Sequence, residues 1–155
     1  MIVPRRVHSG FEPAQPLRGD ARPAPGVLDA LASADLLLIG PSNPYLSVGP
    51  ILAVGGIRAA LESRRVPCVG VSPLVGGRAV KGPADRMLAR LAGGTGPAAV
   101  AACYPGLIDA LVVDEADAAD LDGLGDVRPI VTRTLMSDAD ARRRLVEAVL
   151  GAVPA

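Results

Sequence analysis

From Gly26 to Gly151 the apolar residues fall into two spacings that alternate along the chain. Val27, Leu28 and Leu31 recur at helical spacing, and "DLLLIG" then runs apolar over a strand's length. Ile51, Val54, Ile57 and Leu61 form a second helical stripe, followed by the Val-rich run "VPCVGVS". Met87, Leu88 and Leu91 give a third helical face, and "LIDALVVDE" leads into a strand near Ala110 to Asp114. "ADAADLDGLG" reads as a short helix ended by glycine, and "VRPIVTRT" as a fourth strand. The last helix runs through Leu145, Val146, Val149 and Leu150 to a stop at Gly151. Ahead of it, Ser137 with Asp140 three residues on resembles a capping box in which Asp replaces Glu.

Short apolar strands separated by helical segments imply parallel crossovers with helices on both faces of the sheet. The expected fold is α/β: a three-layer, mostly parallel, Rossmann-like sheet of at least four strands. Four strands make a small sheet whose open edge needs covering, so the expectation is an incomplete domain or a dimer. Residues 1–24, with "EPAQPLRGDARPAPG", read as an irregular Pro-rich lead-in, and 25–155 as the domain part.

Composition changes this picture little. Half of the 155 residues are hydrophobic but only 2% are aromatic, so the core must be built from Ala, Val, Leu and Ile. Sixteen basic residues balance sixteen acidic ones, which argues against nucleic-acid or anionic-membrane binding driven by bulk charge. Arg5 with Arg6, and Arg142 to Arg144, read as solvated local clusters. The start lacks a signal-peptide apolar stretch and no run reaches bilayer length, so a cytoplasmic protein is expected. Cys68 and Cys103 make neither a disulfide framework nor a zinc spacing, and Cys68 reads as a buried small apolar residue.

Candidate chemistry gathers where strands end, because ligands of parallel sheets sit outside the strands' carboxyl ends. "GPSNPYLSVGP" follows the first strand. Gly40 allows a sharp turn or close ligand approach, and Ser42 and Asn43 offer a hydroxyl and an amide. Ser47 and Gly49 precede a helix start near Pro50, whose unpaired N–H groups would favour a phosphate. Equally, Ser42 and Asn43 could close local turns and Ser47 could cap the helix with no ligand at all. After the second strand, "SPLVGGRAVKG" supplies Ser72, Gly76, Gly77, Arg78, Lys81 and Gly82, either as a second phosphate-binding loop or as a solvated surface loop. Thr132 and Thr134 in "VTRTLMSD" read as strand residues before site walls.

Asp114, Glu115, Asp117, Asp120 and Asp122 lack the order of a calcium loop, and a helix dipole accounts for acids at a helix start. His8 is the only histidine, so no histidine-based triad or metal cluster can be assembled. The residues name no general base and no metal ligand.

Four blocks, "ADLLLIGPSNPYLSVGPILAVGGIRAAL", "VGVSPLVGGRAVKGPADRML", "YPGLIDALVVDEADA" and "IVTRTLMSD", together resemble the 2-phospho-L-lactate transferase family, phosphoenolpyruvate-using members included. The resemblance implies an enzyme of coenzyme F(420) biosynthesis. In such an enzyme a ribityl hydroxyl of the deazaflavin precursor attacks the phosphorus bearing lactate or enolpyruvate. GMP leaves from a GDP-linked donor, assisted by a magnesium ion (Mg2+). It also implies that Gly40, Ser42, Asn43, Ser47, Gly49, Ser72, Gly76, Gly77 and Lys81 bind nucleotide or phosphate.

Only the family's C-terminal half is resembled. The family's Gly-Gly-Thr-Gly-Gly nucleotide loop and its metal-binding aspartates belong to the other half, and "AGGTGPA" around Thr95 is no replacement. Gly55 stands where proline is common, and Arg133 where an acidic residue is common. Three readings follow: a transferase fragment, inactive by itself and either active with an N-terminal half in trans (or as a homodimer) or inactive through truncation; a non-catalytic nucleotide- or nucleotide-sugar-binding regulator; and a remnant without function.

Overall fold

The computed structural model describes residues 21–151. Its main sheet has four strands, β1 (Leu37–Ile39), β2 (Cys68–Val71), β5 (Ala110–Asp114) and β6 (Arg128–Thr132), in spatial order β1-β2-β5-β6. Every pairing is parallel: Leu38 opposes Val69, Gly70 opposes Leu111, and Val112 opposes Ile130. Around the sheet lie α1 (Val27–Ser33), α2 (Gly49–Leu52), α3 (Ile57–Glu62), α4 (Ala84–Leu91), α5 (Pro97–Ala101) and α6 (Ala139–Gly151). The expected α/β class, parallel sheet and flanking helices are all present.

Side chains that alternate across the pleat divide the core in two. Leu37, Ile39, Cys68, Leu111 and Val113 face the larger layer with Leu52, Ile57, Leu61, Leu88 and Val100. Val69, Val71, Ala110 and Val112 face α6 through Leu145 and Val149. β2 and β5 are buried at every position, which is why both read as unbroken apolar runs. Among the described residues β1 is an edge strand, and Leu38 is 54% exposed, so its apolar run does not signify burial on both faces. Pro129 suits β6, the other edge, where a missing N–H costs no ladder bond.

Four local expectations change. The stripe Ile51–Leu61 is two helices, because Gly56 takes a left-handed φ of 89° and breaks the run. A wide π-turn, Pro44–Val48, sets the phase of α2, which buries Leu52 and exposes Ile51. Where "ADAADLDGLG" reads as a helix there is only a 3-10 turn, Glu115–Asp117, overlapping its first two residues, and the chain then turns through Gly123 and Gly125, both at positive φ. In α6, Leu145 and Val149 are buried while Val146 and Leu150 are exposed; the same holds in α4 for Met87 and Leu88 against Leu91. The cap of α6 is Asp138, one residue after Ser137: its carboxylate accepts from Ala141 N at 2.8 Å, Ser137 Oγ donates to it, and Asp140 pairs with Arg143.

One hairpin is absent from the sequence reading. β3 (Leu74–Val75) and β4 (Arg78–Ala79) pair antiparallel across Gly76 and Gly77, at φ 58° and 69°. Two left-handed central residues make the mirror-image turn that favours Gly-Gly. That dipeptide was the available signal; strands of two residues carry no periodicity.

Candidate functional site

All four parallel strands end on one side, and three of their loops enclose a cleft of about 550 Å³. The loop after β1 contributes Ser42, Asn43 and Ser47, the segment after β2 contributes Ser72, Lys81 and Gly82, and the loop after β6 contributes Thr134. Leu46, Val75, Val80, Leu135 and Met136 add apolar surface to the lining. Lys81 is the only lysine in the sequence and is exposed, with no ion-pair partner among the described residues. The cleft therefore combines one ammonium, several hydroxyls and an apolar wall.

The first loop is built from its own amide. Asn43 Oδ1 accepts from Tyr45 N at 2.9 Å and Leu46 N at 3.1 Å, capping the π-turn, and Asn43 Nδ2 donates to Met87 Sδ at 3.3 Å. Asn43 thus serves as the turn's cap, the account that needs no ligand. The N–H groups just ahead of Pro50 are engaged within the chain. Ser47 N and Val48 N donate to Asn43 O, and Gly49 N to Pro44 O, so the π-turn feeds into α2 without a gap. Gly49 is there for packing, since a Cβ would lie 3.0 Å from Pro44 O. Gly40, whose carbonyl accepts from Ser42 N at 2.7 Å, also lies outside the cleft lining.

The second loop divides similarly. Gly76 N and Gly77 N donate to Asp117 Oδ2 and Oδ1, at 2.9 and 2.6 Å, so these donors are occupied by a carboxylate of the chain itself. Arg78 pairs with Asp85 at 3.4 Å. Ser72 is buried, and its Oγ accepts from Leu74 N at 3.2 Å. Thr134 lies beyond β6, buried: its N–H and Oγ donate to Asp114 Oδ2 at 2.7 and 2.9 Å. Thr132 belongs to β6 and is not in the lining. Arg133 turns to Glu115 at 3.1 Å.

Sequence reasoning missed what Asp114 and Asp117 do. Their carboxylates accept backbone N–H groups, and each closes a loop onto the end of β5. Burial pushes the Asp114 pKa up, but donations from Thr134 and Ala116, with the Arg133 charge nearby, outweigh it and hold the carboxyl below its ordinary value. Burial pushes both thiols up from their ordinary value, Cys68 to about 11 with Arg64 only partly offsetting it. A magnesium ion finds no set of three ligating side chains among the described residues, and the two buried carboxylates are already taken up by backbone donors. His8 lies outside the described residues.

A parallel sheet whose carboxyl edge carries a cleft with a cation, hydroxyls and an apolar wall defines an α/β protein with its candidate ligand site at the strand ends. Residues 7–147 match the family model described as 2-phospho-L-lactate transferase CofD, and the chain belongs to that family. The match begins inside the stretch that reads as a lead-in. Among curated relatives, the phosphoenolpyruvate transferase of Streptomyces griseus is 43% identical over 84% of this chain and 42% of its own length. The 2-phospho-L-lactate transferase of Methanothermobacter thermautotrophicus is 36% identical over 85% of this chain and 43% of its own. The chain thus spans less than half the length of these relatives. Protein BH3568 of Bacillus halodurans, solved by crystallography, shares the fold at a TM-score of 0.58 and 21% identity, over 86% of this chain and 48% of that one.

Proposed function

We propose that this chain supplies the strand-end half of a transferase of coenzyme F(420) biosynthesis. The reaction moves a phospholactyl or phosphoenolpyruvyl group from a GDP-linked donor to the ribityl hydroxyl of the deazaflavin precursor and releases GMP. The observation that carries this reading is the sole lysine, exposed and unpaired among the described residues, beside Ser42 and Ser47 at the mouth of a 550 Å³ cleft in a chain of this family. Phosphoryl-type transfer depends mostly on positioning and on meeting phosphate charge, and an ammonium with hydroxyl donors supplies part of both. Leu46, Val80, Leu135 and Met136, each at least 44% exposed, form an apolar wall suited to a flat ring. Magnesium, when bound, would lower the charge on the phosphates; its ligands are expected outside this chain, and no step here runs through it.

The catalytic partner is a complementary half acting in trans, or a second copy, set against β1. That edge has no strand partner among the described residues, and Leu38 and Ile51 stand exposed beside it. By itself the chain is expected to bind nucleotide without turnover.

Calorimetric titration with GDP tests the binding reading. Wild type should bind and Lys81→Ala should weaken binding about tenfold or more, the worth of a hydrogen bond to a charged group. Equal affinity of the two proteins would remove Lys81 from the phosphate site.

A further inference from the structure

Asp117 sits just past β5 with only 8% of its surface exposed, and both its oxygens are engaged by the tip of the β3–β4 hairpin. The described ion pairs give it no cation, so the two glycine N–H groups meet its charge. The hairpin has two residues per strand, far too few to hold its own shape. Its base is fixed by Leu74, 1% exposed, and by Ala84 at the start of α4. Its tip rests on the β5 loop, where a Cβ on Gly76 would lie 3.7 Å from Ala116 Cβ. Arg78 to Lys81 runs between Gly77 and Gly82, both at positive φ and both able to swing unless held.

We propose that Asp117 is a positioning residue: it clasps the hairpin tip to the end of β5 and thereby sets where Lys81 stands on the cleft. The functional consequence rests on the reading of Lys81 as a phosphate ligand; the clasp itself does not. Asp117 and Lys81 need not touch. The carboxylate acts through the Gly76–Gly77 backbone, and the short strand β4 carries the constraint on to Val80 and Lys81.

Because Lys81 is the only lysine, reductive 13C-methylation places one side-chain reporter on the cleft, besides the terminal amine. The experiment compares wild type, Asp117→Asn and Asp117→Ala by amide hydrogen exchange, by the Lys81 methyl resonance, and by GDP titration. Gly76 and Gly77 amides should exchange about tenfold faster or more in Asp117→Ala. In Asp117→Asn, whose single amide oxygen can still accept, only part of that protection should be lost. The Lys81 resonance should move in both ligand-free variants, and GDP affinity should fall about tenfold although Lys81 is unchanged. A melting temperature that drops while the Lys81 resonance and GDP affinity stay at wild-type values would overturn the proposal, leaving Asp117 with a purely structural role. If GDP does not perturb Lys81 in wild type, the phosphate reading fails by itself. The clasp is then judged on the ligand-free resonance, which supports it by moving and refutes it by staying. Should Asp117→Ala not fold, Asp117→Asn carries the comparison.

Discussion

Thr134 gives both its backbone N–H and its hydroxyl to one oxygen of Asp114, at 2.7 and 2.9 Å, while Ala116 N takes the other oxygen at 3.0 Å. A side chain at the end of β5 thereby fixes the loop that follows β6. Asp117, three residues on, does the same for the hairpin that follows β2. The inner strand β5 is thus tied by carboxylates at its end to the loops that follow both its neighbours, β2 and β6.

Thr134→Val keeps the side chain's shape and removes the hydroxyl. It should destabilise the fold by about 1–3 kcal/mol at neutral pH, because a buried carboxylate loses a donor. The pH dependence has a definite sign. Asp114 has a folded pKa below its ordinary 3.8, so its stabilisation is complete above that value and fades as pH falls through the lower folded one. Urea unfolding of wild type and Thr134→Val from about pH 7 to about pH 2 should therefore show a gap that narrows only at the acid end. A gap independent of pH would mean the carboxylate is not the acceptor that matters.

Ser42 and Asn43 should now behave differently. Asn43→Ala removes the cap of the π-turn and should cost on the order of 1 kcal/mol in stability. Ser42→Ala removes an exposed hydroxyl from the cleft mouth and should leave the melting temperature alone while weakening GDP binding. Melting curves and titrations on the two variants read both effects, and matching profiles would contradict the division of labour in this loop.

Leu38 tests the open edge. A lysine placed there should cost the isolated chain little, since Leu38 is more than half exposed. It should weaken association with a complementary half, or with a second copy, by placing a charge in a strand-to-strand contact. Analytical ultracentrifugation of wild type and Leu38→Lys decides it; association unaffected by the charge places the contact elsewhere.

Which parts of this structure were legible in the sequence follows from how far each signal travels. β5 is legible near Ala110 to Asp114 because burial on both faces writes itself as consecutive apolar residues. β1 looked the same, yet Leu38 is exposed: the sequence records that a residue is apolar, not that something covers it. Ser42, Ser47, Ser72 and Lys81 were gathered by one rule, that parallel strands bring their loops to a common edge. Gly49, Gly76 and Gly77 were candidates by the same rule and proved to have packing and turn duties, because glycine's freedom serves a tight turn as well as a ligand. Asp117 could not have been found, since its partners lie 40 and 41 residues away and nothing local distinguishes it from Asp120 or Asp122.

The broken second helix gives the most direct test of how α2 is phased. In an unbroken stripe Ile51 would face the core with Val54, Ile57 and Leu61, and its truncation would be severe. Here the π-turn and Gly56 give α2 its own phase, which buries Leu52 to 8% and leaves Ile51 56% exposed. Leu52→Ala should therefore cost about 2–5 kcal/mol, the lost transfer energy plus the cavity left among Val48, Ile57 and Leu61. Ile51→Ala should cost no more than about 0.5 kcal/mol, as for an exposed position away from caps and pairs. Equilibrium unfolding of the two variants distinguishes the arrangements, because a continuous helix predicts the opposite ranking. If Ile51→Ala alone is benign in the chain but disrupts association, the exposed face of α2 belongs, with Leu38, to the surface that the complementary half covers.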